Sequence, residues 1–416
     1  MTRTLSANEL EKNDFFKKWA ENAYSVPLSE VAERYSDLTK GLGGEITFFS
    51  SPGRAELVGN HTDHNNGLVL ATTIDLDTVA AAQKTPVSKK VIINSLGYSP
   101  IEIDIDDLEV RDSEYNKSSA IARGILKGFI ERGYQIGGFV ANTHSNIFKG
   151  AGVSSSAAFE LLICEILNVF YNQGRMDFIT KAIISQYAEN HYFGKPSGLM
   201  DQLTISSGGV NYMDFKEDIP EVDKIVWPFE DLAAMIINCG GDHSGLTQEY
   251  AEIKQDMKSV AKALGGSTLR QTSEVQFYEN INEIKKSCGG RAVLRAKHFF
   301  EENNRVRDAF LAINNRDEKV FVDIINSSGA SSYEQLQNCF IKGDAEQNIP
   351  YALKMAQRFE KVKALRVHGG GFAGTILVFV GKDMVEDFSK YMNNYFDKEK
   401  IFVLRMRQAG VTRVEV

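Results

Sequence analysis

The chain alternates short apolar runs, typical of strands, with longer segments whose apolar residues recur at helical spacing. Its first residues, "MTRTLSANELEKNDFFKKWAEN", alternate charged and apolar positions and predict an amphipathic helix. From 45 to 105, the runs "EITFF", "TVAAA", "VIINS" and "IEIDI" predict strands. "SSAIARGILKGFIERG" predicts a helix ended by Gly133, and "GGFVANTHSNI" predicts the next strand. Two apolar helices are expected at 155–172 and 177–193.

The second half of the chain has a different pattern. "AAMIINC" predicts a strand, and helical patterns fill much of 246–326. "KALRVH", "TILVFV" and "IFVLRM" predict strands near the end, with "MVEDFSKYMNNYF" as a helix between the last two. This mixture predicts two α+β domains, 1–215 and 216–416, which meet in the polar stretch "MDFKEDIPEVD".

Composition and charge narrow the class of protein. The 416 residues are 43% hydrophobic and 25% charged, which is typical of soluble proteins. A net charge of -8 argues against nucleic acid or an anionic membrane as the main partner. The apolar stretch "LLICEILNVF" carries Glu165 and is shorter than the ~20 residues of a membrane span. No apolar core long enough for a signal peptide is present at the start, and the four scattered cysteines form no CxxC pair. We therefore expect free thiols and a cytoplasmic location.

One short polar segment, "GRAELVGNHTDHNNG" at 53–67, crowds charged and imidazole side chains immediately after a predicted strand. Only Leu57 and Val58 in its middle look able to face a core. The sequence therefore predicts a polar loop on a strand, which is a common place for binding residues.

A second segment, "KGAGVSSSAAFELL", places glycines and three serines at the start of a helical pattern. Glycine lets the backbone approach a ligand, and a helix N-terminus offers unpaired N–H groups to an anion. The serine hydroxyls can donate to phosphate oxygens or bind Mg²⁺. No GK[ST] ends the segment, so it is not a Walker A loop. A serine that only caps a buried helix is the alternative interpretation.

A third segment, "YAENHYFGKPSGLMDQLTISSGG", holds Glu189 and Asp201 on either side of a turn. Beside bound phosphates, one such carboxylate can hold a metal while the other orients or deprotonates a hydroxyl. Two solvated acids are the alternative. A fourth segment, "RVHGGGFAGTILVFV", is glycine-rich. It either approaches the nucleotide from the second domain or only turns the chain.

Together the four segments resemble motifs of the GHMP kinase superfamily and, within it, of the galactokinases. The galactokinase signature GR-x-N-L-I-G-E-H-T-D-Y-N-x-G is similar to "GRAELVGNHTDHNNG", and the ordered matches run from about 48 to 380. The resemblance implies an α+β fold of the α/β-sandwich type, with an N-terminal ribosomal-protein-S5-like domain, a C-terminal ferredoxin-like domain and the active site in the cleft between them. It also implies transfer of the γ-phosphoryl group of ATP to the anomeric hydroxyl of galactose, giving α-galactose 1-phosphate, with Mg²⁺ as cofactor.

The same resemblance assigns residues to roles. It implies that Arg54 and Asp201 lie at the reacting hydroxyl, where either Asp201 takes the proton or Arg54 stabilises the oxyanion. The implied sugar contacts are Asn60, His61, Asp63, Gly198 and Tyr250. The implied phosphate contacts are Gly150, Gly152, Ser154, Ser155 and Ser156, and the implied Mg²⁺ ligands are Ser156 and Glu189. Sugar recognition would explain the polar loop, because several short polar groups must converge on hydroxyls.

Two alternatives stay open. Asn60 stands where the galactokinase pattern has Glu, and losing that charge removes repulsion toward a C6 carboxylate, so a galacturonate kinase is one alternative. A non-catalytic, galactokinase-like sugar sensor is another, although Arg54, Glu189, Asp201 and the serine segment are all present and favour an enzyme. We expect sugar and ATP as partners, no nucleic acid or membrane partner, and a monomer or weak homo-oligomer.

Overall fold

The computed structural model describes residues 5–148, 152–195, 197–241 and 246–416. Its strands, in chain order, are β1 (Thr47–Val58), β2 (Leu68–Lys84), β3 (Lys90–Ser95), β4 (Ile101–Asp104), β5 (Phe139–Ser145), β6 (Val210–Asp214), β7 (Glu221–Ile225), β8 (Leu232–Gly240), β9 (Val362–His368), β10 (Gly374–Gly381), β11 (Ile401–Leu404) and β12 (Thr412–Val414). Its helices are α1 (Ala7–Glu11), α2 (Asp14–Ala23), α3 (Leu28–Leu38), α4 (Ser118–Glu131), α5 (Ser155–Tyr171), α6 (Phe178–Ala188), α7 (Met200–Ser207), α8 (Thr247–Ala263), α9 (Glu274–Glu279), α10 (Ile281–Cys288), α11 (Gly290–Asn314), α12 (Glu318–Ser331), α13 (Asn348–Gln357) and α14 (Val385–Met392).

The larger sheet draws strands from both ends of the chain. Its main strand order is β12-β1-β2-β5-β3-β4, and β6 pairs with both β2 and β7. β3 and β5 run parallel, whereas the other pairs are antiparallel. Because β7 continues from β6 and β12 pairs with β1, residues 221–225 and 412–414 lie in this sheet although they follow the predicted boundary at 215. That boundary stays a prediction.

The polar segment predicted as a loop begins as the second half of β1, so that part of the prediction was wrong. β1 pairs with β2 on one side and with β12 on the other, and all of its residues are buried. Its ladder with β2 shifts register between Pro52 and Arg54 and again between Glu56 and Val58. The buried polar residues are tolerated because Arg54 and Glu56 each have an ionic partner elsewhere in the chain.

Helices cover both faces of the larger sheet. On one face, α4, α5 and α6 bury residues such as Leu126 and Leu162 against Phe49. On the other, α2 and α3 bury Phe16 and Tyr35 against Phe48 and their neighbours. The helix expected at 155–172 is confirmed as α5. The helix expected at 177–193 is α6, which ends earlier and passes into a π-helical turn at Glu189–Phe193.

The smaller sheet is antiparallel, in the order β11-β8-β10-β9. One apolar cluster joins it to the larger sheet, since Leu57 and Leu161 share that cluster with Ile236 and Leu377. The α+β fold class expected from the sequence is confirmed, and the two layers meet over a continuous core. The polar site described below lies along this junction.

Two further predictions concern thiols and membrane spans. All four cysteines are free, as expected; Cys164, Cys239 and Cys339 are buried, and Cys288 is partly exposed. None of the helices in the part of the chain that the structure describes is both long enough and apolar enough to cross a bilayer.

Candidate active site

Arg54 and Asp201 form an ion pair at the centre of the site. Nε and Nη2 of Arg54 each lie 2.8 Å from Oδ1 of Asp201. Arg54 comes from β1, and its Nη1 also donates to the carbonyl of Gly152. Asp201 lies in the first turn of α7, so strand and helix are joined through one partly buried charge pair. Burial opposes ionisation of Asp201, but the charge of Arg54 and a hydrogen bond from Ser154 outweigh it and lower its pKa. Asp201 is therefore an ionised acceptor at neutral pH.

The serine segment supplies the second partner of Asp201. The Ser154 hydroxyl donates to Oδ2 of Asp201, and Ser154 holds a left-handed backbone conformation with φ of 64°. Ser155 then begins α5, followed by Ser156, and no side-chain cap is present among the described residues at this helix start. The N-terminal N–H groups of α5 and two serine hydroxyls are thus collected beside the ion pair, an arrangement that suits an anion. Gly150, the remaining predicted phosphate contact, lies outside the described residues.

Glu189 lies on the other side of Ser156. Its Oε1 is 3.4 Å from the Ser156 hydroxyl and 3.0 Å from Nζ of Lys195, and its Oε2 accepts a 2.9 Å bond from Nε2 of Gln202. The same Nε2 donates to Glu160 at 3.0 Å. Burial, reinforced by the charge of Glu189, raises the pKa of Glu160 well above its usual range. The two predicted Mg²⁺ ligands, Ser156 and Glu189, are therefore brought together.

Asp63 and Gly198 face each other next to Asp201. A Cβ on Gly198 would overlap the Asp63 carboxylate, so only glycine permits this approach. Burial, and then the charge of Asp201, raise the pKa of Asp63 to about 6. Asp63 of the polar segment and Asp201 of α7 therefore belong to one electrostatic site.

Tyr250 covers the same region from α8. Its ring lies parallel to His61, with centroids 6.3 Å apart and an interplanar angle of 21°, and meets Phe372 edge-on at 5.3 Å. The hydroxyl donates to the carbonyl of Gly371 at 2.9 Å, and a Cβ on Gly370 would lie 2.7 Å from the Tyr250 ring. Tyr250 therefore joins the polar segment 53–67 to the glycine-rich segment of the C-terminal half.

The two imidazoles of the loop form a chain with one consistent set of tautomers. Nε2 of His61 lies 2.8 Å from the carbonyl of Gly370, which can only accept, so this nitrogen carries the proton. Nδ1 of His61 then accepts from Nε2 of His64 at 3.3 Å, and Nδ1 of His64 accepts from the Asn65 amide at 2.9 Å. Both rings are neutral, because burial lowers the pKa of His61 and lowers that of His64 further. Both ring nitrogens of His61 already have protein partners.

Asn60 is completely buried, and its amide forms hydrogen bonds with four residues. Nδ2 donates to Oε1 of Glu56 at 3.1 Å and to the carbonyl of Gly369 at 2.6 Å, while Oδ1 accepts from Asn338 at 2.7 Å and from Ser332 at 3.3 Å. The structure thus directs this side chain into the junction between the two halves. A sugar contact by Asn60 stays a prediction.

A buried ion pair reinforces the same junction. Nη2 of Arg366, on β9, lies 2.8 Å from Oε1 of Glu56, and Nη1 donates to the carbonyl of Leu57 at 2.7 Å. The backbone N–H of Glu56 donates to Nε2 of His368 at 3.1 Å. The strand that bears Arg54 is therefore fixed to the smaller sheet along its polar edge.

The glycine-rich segment approaches the serine segment closely. A Cβ on Gly369 would lie 3.2 Å from the carbonyl oxygen of Gly152, and a Cβ on Gly152 would lie 3.2 Å from Oγ1 of Thr375. Both glycines have positive φ, of 65° and 64°. This packing favours the interpretation that the segment reaches the predicted phosphate region, and not the alternative that it only turns the chain.

Sequence reasoning missed four residues of this site. Three of them could have been found from their positions in the sequence: Gln202 follows Asp201 directly, and Glu160 and Lys195 lie inside two of the quoted segments. Arg366 is the first residue of the fourth quoted segment, but its pairing with Glu56, which is 310 residues away in the sequence, gave no local signal.

Comparison with known proteins identifies the same regions. Residues 39–84 match the family model of the galactokinase galactose-binding signature, and residues 120–209 match that of the GHMP kinase N-terminal domain. A galactokinase of Clostridium perfringens is 28% identical over 356 residues, which cover 83% of this chain and 88% of that protein. A galactokinase of Lactococcus lactis is 27% identical over 407 residues, covering 94% and 98%.

Solved structures give a matching result. The crystal structure of Lactococcus lactis galactokinase complexed with galactose superposes with a TM-score of 0.79 at 26% identity, covering 92% of this chain and 99% of that one. The mevalonate kinase of Methanococcus jannaschii, at 17% identity and a TM-score of 0.63, shares the fold, covering 87% and 99%.

Proposed function

Because this chain belongs to the galactokinase family of the GHMP kinase superfamily, we propose that it transfers the γ-phosphoryl group of ATP to the anomeric hydroxyl of D-galactose. The products are ADP and α-galactose 1-phosphate. One observation carries the proposal at the level of residues. The Arg54–Asp201 pair is hydrogen-bonded to Ser154 at the start of α5, and Gly198, three residues before Asp201, lies against the Asp63 carboxylate.

We propose that Asp201 orients the anomeric hydroxyl and accepts its proton late in the transfer. Its lowered pKa makes it a weak base, and a weak base suffices when the transition state is loose and the attacking oxygen keeps its proton until late. Arg54 holds Asp201 in place and is the nearest cation for the negative charge that develops on the reacting oxygen. Both roles assigned by resemblance, base and charge stabiliser, are thus compatible in one ion pair.

The helix start at α5 suits the phosphates. We propose that Gly152, Ser154, Ser155 and Ser156 contact phosphate oxygens through backbone N–H groups and hydroxyls, with Gly150 expected beside them. The hydroxyl and carboxylate donors of Ser156 and Glu189 fit Mg²⁺, which prefers oxygen ligands and few protein groups. When bound there, the ion would supply positive charge that neutralises part of the phosphate charge.

On the sugar side, we propose that Asp63 accepts hydrogen bonds from ring hydroxyls and that Gly198 leaves room for the sugar beside it. We expect His61 and Tyr250, whose rings stack with centroids 6.3 Å apart, to line the same sugar site. The alternatives of a galacturonate kinase and a sugar sensor are not favoured, since the relatives are galactokinases and the reactive residues are all present. The cytoplasmic location and the monomeric or weakly associating state stay predictions.

The test is ADP release by purified protein with Mg-ATP and a panel of galactose, galacturonate, N-acetylgalactosamine, glucose and no sugar. We expect release with galactose, a phosphorus resonance of an anomeric phosphate in the product, and loss of both in Asp201→Ala. Asp37→Ala, which removes an exposed carboxylate from α3, is the matched control and should keep full activity. Galactose binding by calorimetry without any sugar-dependent ADP would refute the kinase and support the sensor.

A further inference from the structure

Behind the candidate Mg²⁺ ligand lies a buried amide that contacts two carboxylates. Gln202 is the third residue of α7, and only 1% of it is exposed. Its Nε2 donates to Oε2 of Glu189 at 2.9 Å and to Oε2 of Glu160 at 3.0 Å. An amide nitrogen has two hydrogens, so both are used, one for each carboxylate.

These contacts fix the orientation of the amide. If the Gln202 amide rotated by half a turn, its Oε1 would face Oε2 of Glu189, and the bond that the Glu189 carboxylate accepts from Gln202 would be lost. Glu160 is itself fully buried, on α5. Within the described residues, Oε1 of Glu160 and Oε1 of Gln202 have no hydrogen-bond partner, so the two bonds through Nε2 are the polar contacts that hold this group. Losing them would leave buried acceptors without a donor.

The consequence falls on Glu189. Its Oε2 is occupied by Gln202, so Oε1 is the oxygen that faces Ser156 at 3.4 Å and Lys195 at 3.0 Å. One carboxylate oxygen is therefore directed toward the start of α5. The carboxylate cannot turn in its plane without breaking the bond to Gln202.

We propose that Gln202, supported by Glu160, is a positioning residue that directs Oε1 of Glu189 toward the phosphate helix and ties this orientation to Asp201, its neighbour in the chain. The inference rests on the proposed function, in which Glu189 holds the divalent cation of the nucleotide. Gln202 touches neither sugar nor nucleotide in this scheme. It acts through Glu189, as partners behind a metal ligand commonly do.

The test measures cation binding apart from turnover. Mn²⁺ binding to the enzyme–ADP complex is followed by electron paramagnetic resonance in the wild type and in Gln202→Met, which keeps the length of the side chain and removes the donor. Loss of such a supporting contact typically lowers metal affinity roughly 10- to 100-fold, so we expect the Mn²⁺ dissociation constant to rise by about that factor. Galactose affinity, measured by calorimetry, should stay within about twofold, because the Gln202 side chain donates to Glu189 and Glu160 and not to Asp63.

Asn168→Leu is the matched control. Asn168 is also a buried amide, on the same helix as Glu160, and its Nδ2 donates to Glu165 at 3.1 Å away from the site. Removing the Asn168 amide should lower thermal stability while leaving Mn²⁺ affinity unchanged. Glu160→Gln keeps an acceptor for Gln202 and should retain most of the affinity. If Gln202→Met does not fold, Gln202→Asn, whose shorter amide cannot span both carboxylates, is measured in its place.

The outcomes separate this inference from the proposed function. A folded Gln202 variant that binds Mn²⁺–ADP as tightly as the wild type refutes the positioning role, whatever the activity. An equal loss of Mn²⁺ affinity in Asn168→Leu also refutes it, since the effect would then be general destabilisation. If the Gln202 variant binds Mn²⁺–ADP more weakly than the wild type, but the wild type phosphorylates no sugar, the galactose kinase is refuted and the role of Gln202 stands.

Discussion

The buried pair of Glu56 and Arg366 gives a sharp test of how the two halves of the protein are joined. Neither side chain is more than 3% exposed, and the Oε1–Nη2 distance is 2.8 Å. Arg366→Met removes the guanidinium but keeps an unbranched chain of similar reach. In the variant, the Asn60 amide is the remaining side-chain donor to the Glu56 carboxylate among the described residues.

The Arg366→Met variant should lose much of its conformational stability. Removing one partner of a buried ion pair lowers the free energy of unfolding by roughly 3–5 kcal/mol, because an uncompensated charge stays buried. For 416 residues, the entropy of unfolding is about 0.9 kcal/mol/K, so the melting temperature should fall by roughly 3–6 °C.

The loss should also depend on pH. Burial already raises the pKa of Glu56 even though Arg366 opposes it. Without Arg366, the folded variant binds a proton at Glu56 still more tightly than the unfolded chain does. Its free energy of unfolding therefore falls as pH rises from the unfolded pKa to the folded one, and the deficit is greater at pH 8 than at pH 5.

Differential scanning calorimetry of Arg366→Met, Glu56→Gln and the double variant completes a cycle. The double variant should be more stable than the sum of single losses predicts, by roughly 0.5–3 kcal/mol, because it buries no lone charge. Lys89→Met, at an exposed ion pair with Asp106, is the control and should melt with the wild type. Strictly additive losses, or a deficit independent of pH, would refute the reasoning.

Three other predictions follow from the site. Galactose affinity should weaken as pH falls below about 6, because a protonated Asp63 loses an acceptor. The Asp63→Asn variant should bind galactose weakly at every pH. Calorimetry from pH 5 to 8 checks this, and a variant that keeps the pH dependence of the wild type contradicts it. Asp201→Asn should lower kcat for ADP release by roughly 10²- to 10⁴-fold with little change in the KM for ATP, and a loss below tenfold would argue against its role at the reacting hydroxyl. Gly198→Ala should raise the KM for galactose by about tenfold or more, because the added methyl group displaces Asp63. Gly290→Ala, where a Cβ meets only the end of a lysine side chain at 4.0 Å, should have wild-type kinetics; equal effects in both glycine variants would contradict the explanation.

The sequence predicted those helices and strands whose apolar residues recur at a regular spacing. The apolar spacing of α5, and the apolar runs of β9, β10 and β11, are visible in short windows of sequence, and the structure confirms them. The pairing of Ser156 with Glu189 followed from the resemblance of two separate segments. The family and its reaction followed from the order of the motifs along the chain.

Long-range pairing explains what the sequence did not reveal. Arg54 and Glu56 looked like loop residues, because nothing nearby neutralises them; their partners are 147 and 310 residues away. The inward direction of Asn60 likewise depends on Asn338 and Gly369, which belong to the other half of the chain. A polar residue in a central strand can be recognised only once its buried partner is known.

The place of β12 in the larger sheet has a consequence for synthesis. β12 covers the edge of β1 at Phe48–Ser50, and Arg407, which precedes it, shares the buried charge of Asp77 with Arg34. A nascent chain that lacks residues 405–414 therefore has an open strand edge and an incompletely neutralised carboxylate in its first folded layer. Folding of that layer is completed only after the ribosome has made residues 405–414, so this segment joins the sheet late, and chains terminated before it are prone to aggregate through that edge.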